Sequence, residues 1–406
     1  MSRRYVGGFI SSFFNPLKNP DAPTIGTATA GNAQISVAFT APVNPGGSAV
    51  SSYTATAKKT SDGTLTSVSG ASSPIVVTGL TNTSVYTATV VAINSYGTSA
   101  ASAASGSVTP IAPTAPGAPT IGTATATSPT TATVSFTAPA SNGGSVITSY
   151  TATSSPGGLT GTLSQAGSGT ITVSGLTSST SYTFTVKATN AIGTSTASSA
   201  SNSITTPLAV GDAYAGGFYA GQISTSGNGI ANFNLVIGPK ASADNASIKF
   251  KTVNSVDYGI FSEINGPANS AAINTYGHPA AEFCEALTVG GYSDWYMPAV
   301  NELEVCYYNL KPTTESNYTA SGANPNAVPA RASNYTAGTP TQTSASSFQN
   351  TNSEAFNYTD FQGFYWSSTG AASYGSARYV RFLDGASSSI GKNDYRRVRA
   401  VRRVAV

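Results

Sequence analysis

Short runs of alternating apolar and small polar residues recur through the first half of the chain. "ISVAF" at 35–39, "VYTATVVA" at 85–92, "ATVSF" at 132–136 and "YTFTVKA" at 182–188 put every second side chain on one face. A two-residue period makes strands with one buried face and one wet face. Gly46-Gly47 and Gly143-Gly144 supply conformationally free turns between such strands.

The alternation belongs to a long-range repeat. The stretch "DAPTIGTATAGNAQISVAFTAPVNPGGSAVSSYTAT" at 21–56 returns as "GAPTIGTATATSPTTATVSFTAPASNGGSVITSYTAT" at 117–153, and "TGLTNTSVYTATVVAINSYGTS" at 78–99 returns as "SGLTSSTSYTFTVKATNAIGTS" at 174–195. The offset of 96 residues is a whole domain, far above solenoid periods. Two copies of a two-sheet sandwich follow.

From Val210 the pattern changes. Ile273, Tyr276, Ala280, Phe283 and Leu287 stand at helical spacing within 270–291, with Gly290-Gly291 as the stop. A second helix is expected over 299–310, with Asn301 as its cap and Leu303, Cys306 and Leu310 as its apolar stripe. Strands are expected at 216–223 and 377–383. The overall expectation is multidomain: two all-β sandwiches at 20–112 and 113–208, then an α+β domain at 209–406, preceded by a segment at 1–19.

Composition narrows the chemistry. Hydrophobic residues make up 40% of the 406-residue chain and charged residues 9%, with a net charge of +3. The basic residues concentrate at the end, where Arg378, Arg381, Lys392, Arg396, Arg397, Arg399, Arg402 and Arg403 fall together. In "RRVRAVRRV", Val398 and Ala400 alternate with Arg397 and Arg399, as in a half-exposed strand, and a charged edge that discourages sheet aggregation suits it better than nucleic-acid binding. Cys284 and Cys306 are too few for a disulfide framework; two buried thiols or a single pair remain open. No apolar run is long enough to span a bilayer. The opening "MSRRYVGGFISSFFNPLKNPDAP" starts like a secretory leader but lacks a small-residue cleavage site, so it reads as a retained attachment segment.

No catalytic constellation emerges. His278 is the only histidine, and no serine or cysteine motif accompanies it. Glu282, Glu285, Glu302 and Glu304 read as solvated helix faces rather than a glycosidase pair. No His and Cys cluster has ligand spacing, and no cofactor or metal is expected.

Two resemblances add to this reading. Pro23, Tyr53, Leu80, Tyr86, Asn94 and Gly97, matched by Pro119, Tyr150, Leu176, Tyr182, Asn190 and Gly193, resemble the pattern of fibronectin type III domains over residues 20–207. That resemblance implies all-β immunoglobulin-like sandwiches with a tyrosine corner at Tyr86 and Tyr182, and with Phe39 and Phe136 where the family often carries Trp. The polar, charge-poor module surfaces imply spacers. "GGYSDWYMPAVNELEVCYY" at 290–308, "FYWSST", "ARYVRF" and "VRAVRRV" resemble the domain that closes collagen-like bacterial adhesins, which implies a C-type-lectin-like fold over 210–406. The Glu-Pro-Asn, Gln-Pro-Asp and Trp-Asn-Asp tripeptides of calcium-dependent lectins are missing, so no calcium-bridged sugar is expected. Relatives of this fold tip phage receptor-binding proteins, where the segment after the "YWSS" motif is diversified. "YVGGFISSFFNPL" and "PDAPTIG" are similar to the starts of tailed-phage structural proteins.

The resemblance and the residue types place a binding surface between the two scaffold motifs, at 370–395. Ser373, Tyr374, Ser376, Arg378, Tyr379, Arg381, Asp384, Ser387, Ser388, Asn393, Asp394 and Tyr395 combine amphipathic rings, forked donors and small adaptable groups, as paratopes do. Val380 and Phe382 should point inward, and Trp295 and Trp366 should anchor the core. The expected function is a non-enzymatic virion protein, a tail or head fibre. It would adhere to a host cell-surface glycan or protein through 209–406, hold other virion proteins through its N-terminal segment and form a homo-oligomer, without nucleic-acid binding or membrane insertion. A bacterial secreted or cell-surface adhesin is the first alternative. A capsid or tail decoration protein is the second, with the charge-poor stretch 313–358 lying across a neighbouring subunit.

Overall fold

A computed structural model describes residues 17–253, 262–274, 277–359, 363–371 and 375–406. The chain divides into two compact units, one holding the residues through Leu176 with Ser181–Thr205, the other Thr177–Thr180 with Thr206–Val406. The expected attachment segment lies almost wholly outside the described residues.

The first unit contains both repeats, and each is a sandwich of two antiparallel sheets. In the first, strands Thr24–Gly31, Gln34–Thr40 and Ile75–Thr78 form one sheet, and Leu65–Gly70, Ser52–Lys59, Tyr86–Asn94 and Gly97–Thr98 form the other. The second repeats the scheme with Gly169–Ser174, Thr131–Thr137 and Thr120–Ser128 opposite Thr160–Leu163, Ile147–Ser155, Ser181–Asn190 and Ile204–Thr205. The alternation is realised: Ile35, Val37, Ala88 and Val90 are buried, as are Val134, Phe184 and Val186. Phe39 lies 4.7 Å from Tyr53 and Phe136 lies 4.3 Å from Tyr150, centroid to centroid. The Tyr86 hydroxyl accepts from the Thr81 N–H at 3.0 Å, the expected tyrosine corner.

Two structural devices explain other repeated residues. Asn94 donates to Lys18 O and Pro45 O at 2.9 and 2.8 Å and accepts from the Tyr96 and Gly97 N–H groups. Asn190 does the same with Thr114 O, Asn142 O, Ile192 and Gly193. Gly46, at φ +80°, and Gly143, at φ +69°, lie so close to Lys18 O and Thr114 O that a Cβ would collide. After the last long strand of each module comes a serine ladder. Ser99, Ser102 and Ser105 donate their N–H groups to Ala92, Val90 and Ala88 carbonyls, and their hydroxyls accept the N–H groups of the same three residues at 2.9, 3.0 and 2.9 Å. Ser195, Ser198 and Ser201 repeat the arrangement along Ala188, Val186 and Phe184.

In the second unit we number the elements β1 (Gly217–Ile223), β2 (Phe233–Ile237), β3 (Asp244–Lys249), α1 (Gly266–Ile273), α2 (Pro279–Glu285), α3 (Val300–Leu310), β4 (Phe364–Gly370), β5 (Ser376–Arg381), β6 (Ser387–Gly391), β7 (Tyr395–Arg399) and β8 (Val401–Ala405). One sheet runs from Ala213–Tyr214 through β1 and β2 to β8, and the other has the order β3-β7-β4-β5-β6. The closing segment therefore serves both sheets, changing from one to the other at Ala400. Helix α3 covers a core of Leu303, Cys306, Tyr307, Leu310, Tyr365, Val380 and Phe382, and a second cluster gathers Phe250, Cys284, Trp295, Trp366 and Val398.

Several expectations change here. The single helix over 270–291 is two helices: Gly277 sits at φ +104°, Pro279 starts α2, and Tyr276 lies outside the described residues. Helix α3 is capped through Ala299, whose N–H donates to Glu302 Oε2 at 2.7 Å, and not by Asn301. Glu302 and Glu304 are buried, because both faces of α3 are covered. Arg397 and Arg399 are buried as well and ion-paired, to Asp244 and Glu354. The alternation of the closing strand thus separates apolar from paired charge, not core from solvent. Cys284 and Cys306 are unpaired, one in each cluster. The stretch 313–358 folds onto its own unit, with Tyr335, Phe348 and Phe356 in the core.

Candidate functional site

The "YWSST" residues act as ties. Trp366 Nε1 donates to Ile248 O at 3.0 Å, and the Tyr365 hydroxyl accepts from the Asn357 N–H at 2.8 Å. Ser367, Ser368 and Thr369 are buried, and the β4–β5 register shifts between Trp366 and Gly370. That shift lets the Ser368 N–H reach Pro298 O at 2.7 Å. Thr369 Oγ1 accepts from the Val300 N–H at 3.1 Å and donates to Ser262 O at 2.9 Å. The start of α3 and the end of β4 are thereby held together.

Beside this tie lies a recess of about 430 Å³ lined by Glu263, Thr369, Gly370, Ala371, Arg378, Ser388 and Ser389. Arg378 projects from β5 on the same strand face as Val380 and pairs with Glu263. Its Nη2 also lies 3.5 Å from the Ser387 hydroxyl. Opposite it on the edge strand β6 is Ser389, and Ser388 and Ser389 are both exposed.

Glu304 is coupled to this pair from below. Its carboxyl is pushed up to about 7 by burial, opposed by Arg331 and Arg378 and assisted by Glu263. Its Oε2 meets no hydrogen-bond partner among the described residues. Arg331 lies 4.3 Å over the Tyr308 ring.

Of the residues expected to bind, Arg378 and Ser388 line the recess and Ser387 borders it. Ser376 opens β5, half-buried. Tyr379 takes the other face, edge-on to Phe364 at 5.1 Å. Arg381 and Asp384 pair with each other across the β5–β6 turn, Nε to Oδ1 at 2.7 Å. Asn393 and Asp394 form the β6–β7 turn, and Tyr395 is exposed with the Lys249 ammonium 5.0 Å from its ring centre. Ser373 and Tyr374 lie outside the described residues. Ser389 falls within the expected 370–395 surface, whereas Glu263 and Thr369 lie outside it; nothing in the sequence joins Glu263 to a partner 115 residues away.

Burial raises the Cys284 and Cys306 thiols well above their ordinary range. Glu302 Oε1 accepts from Tyr296 and Arg403, and His278 is buried against Phe250. Among the described residues no group of three His, Cys, Asp or Glu side chains could hold a metal, and no helix is long and apolar enough to cross a membrane.

The fibronectin type III domain profile matches residues 117–204, and the Lcl C-terminal domain profile matches residues 262–402. No curated protein matches the chain. Among solved structures, the FN1–FN3 domains of chicken CNTN1 are similar at 15% identity, over 48% of this chain and 69% of that one, with a TM-score of 0.27. A fibronectin type III domain followed by an Lcl C-terminal domain points to an adhesin-like or cell-surface protein.

Proposed function

We propose that the chain is a non-enzymatic adhesion protein that recognises a cell-surface glycan or protein through its C-terminal, C-type-lectin-like domain. The observation that carries this reading is the recess at Arg378 and Glu263. It is polar, open and bordered by the exposed Ser388 and Ser389 on β6, the outermost strand of its sheet among the described residues. A guanidinium, a carboxylate and hydroxyls on a braced sheet offer both donors and acceptors to a ligand without chemistry. The two sandwiches serve as spacers, since their charge-poor Ser and Thr surfaces offer few aromatic or charged groups to anchor a partner.

Within this reading we place the chain on a phage particle as a fibre. The support is the likeness of "YVGGFISSFFNPL" and "PDAPTIG" to phage structural proteins. Attachment would use the N-terminal segment, and several copies on one particle would add avidity. The Lcl C-terminal match favours a second reading, a bacterial surface adhesin built on the same binding face. Immunodetection in purified particles and in the cell-surface fraction separates the two. The binding role itself is tested with the full chain carrying Arg378→Ala, Ser388→Asp and Ser389→Asp. Adhesion to host cells should fall at least tenfold while a cooperative unfolding transition shows the variant still folded; undiminished adhesion would sink the assignment of this face.

A further inference from the structure

Lys311 follows the last residue of α3 and is 1% exposed. Among the described residues its ammonium faces carbonyl oxygens alone: Asn317 Oδ1 at 2.8 Å, Pro340 O at 3.3 Å and the main-chain oxygen of Glu315. Among the described residues it has no ion-pair partner. A buried ammonium without a carboxylate is poorly compensated. Burial accordingly lowers its pKa, opposed by the Glu315 and Asp384 charges, so the nucleophilic neutral amine is easier to reach here than on an exposed lysine.

The group facing it is prepared for attack. Asn317 is 6% exposed, and its Oδ1 accepts a second hydrogen bond, from the Tyr307 hydroxyl at 2.6 Å. Its Nδ2 is held by Thr336 O at 3.1 Å, Ala337 O at 3.2 Å and Pro340 O at 2.9 Å. The carboxamide is thus fixed in orientation, polarised at oxygen by a phenol and a second donor, and surrounded at nitrogen by acceptors suited to a departing ammonia.

We infer that Lys311 and Asn317 form an intramolecular isopeptide bond. The neutral Nζ attacks Asn317 Cγ, and the carbonyl π pair moves onto Oδ1, where the Tyr307 hydroxyl stabilises it. When that pair returns, the Cγ–Nδ2 bond breaks. The proton given up by Nζ goes to Nδ2, which leaves as ammonia. One amide replaces another, so no oxidant, cofactor or second protein is required. The product would staple the start of the segment that connects α3 to β4.

The test is intact-mass spectrometry of the full chain, followed by proteolysis and peptide mapping. The wild-type mass should fall short of the sequence mass by one ammonia, and the digest should contain a branched peptide joining Lys311 to Asn317. Lys311→Arg should return the full mass. A wild-type mass equal to the sequence mass overturns the proposal. So does an ammonia loss that maps to any other asparagine or survives in Lys311→Arg. The wild-type measurement decides without any variant having to fold.

Discussion

Arg403 on the closing strand reaches Glu302 on α3, Nε to Oε1 at 2.7 Å, and the same carboxylate oxygen accepts from the Tyr296 hydroxyl at 2.6 Å. Glu302 is fully buried and Arg403 nearly so, at 11% side-chain exposure. A few residues away, Asp294 holds Arg402 through two hydrogen bonds of 2.8 and 2.9 Å. The "SDW…EL" and "VRAVRR" stretches are therefore two halves of one clamp that fastens the chain end to the start of α3.

Breaking that clamp should be costly. Arg403→Met leaves a buried carboxylate with one phenol and one N–H group, and loss of one partner of a buried pair costs about 3–5 kcal/mol. Denaturant unfolding of the variant checks this, and Glu302→Gln added to it should recover part of the loss. A cost under about 1 kcal/mol, the value of an exposed pair, would contradict the buried geometry.

Glu304 gives the stability a pH dependence. Its folded pKa, about 7, lies above its ordinary value of 4.5, so between those limits the folded state binds the extra proton. The contribution is present at acid pH and lost as pH rises toward about 7, on the order of 3 kcal/mol in all. Glu304→Gln should raise the denaturation midpoint at about pH 8 and leave it nearly unchanged at about pH 4. A variant that is less stable than the parent at the higher pH would refute the assignment.

The same carboxylates show where the sequence stops being readable. Strand alternation is local, so Val37, Val90, Val134 and Phe184 declared their buried face directly. The fate of a charge depends on what covers it. Arg399 meets Glu354, 45 residues earlier, and Arg403 meets Glu302, 101 residues earlier. Nothing in a two-residue or helical period encodes those meetings, and "solvated face" was the reading that local pattern allowed. The recess divides in the same way. Arg378 and Ser388 lie on one hairpin whose strands the sequence marks, whereas Glu263 arrives from another part of the chain. The break between α1 and α2, by contrast, was written in Gly277 and Pro279.

Thiol titration checks the two clusters separately from charge. Cys284 and Cys306 are fully buried with thiols raised by desolvation, so neither should react with an aromatic disulfide reagent in the folded chain. Both should react once the chain is unfolded. Rapid labelling of a native cysteine, or fewer than two thiols after denaturation without reductant, would contradict the packing.

The serine ladders make the last prediction, and they concern the part of each sandwich that alternation left unread. In a regular ladder the strand N–H groups of Ala88, Val90 and Ala92 would meet backbone carbonyls of a neighbouring strand; here they meet serine hydroxyls from a segment that spends three residues for every two of the strand. Each hydroxyl is fully used, since Ser102 Oγ accepts from the Val90 N–H at 3.0 Å and donates to Ala103 O at 2.8 Å. Alanine keeps the backbone path but leaves a buried N–H without an acceptor, which costs about 1–3 kcal/mol. Ser102→Ala in the first sandwich and Ser198→Ala in the second, whose hydroxyl accepts from Val186 at 2.9 Å, should each lose stability in that range by denaturant unfolding. The triplet spacing carries the expectation, because Ser99, Ser102 and Ser105 recur as Ser195, Ser198 and Ser201 at the same offset as the modules. Values within about 0.5 kcal/mol of the parent, as for ordinary surface changes, would mean that the hydroxyls are not the acceptors the sheet depends on.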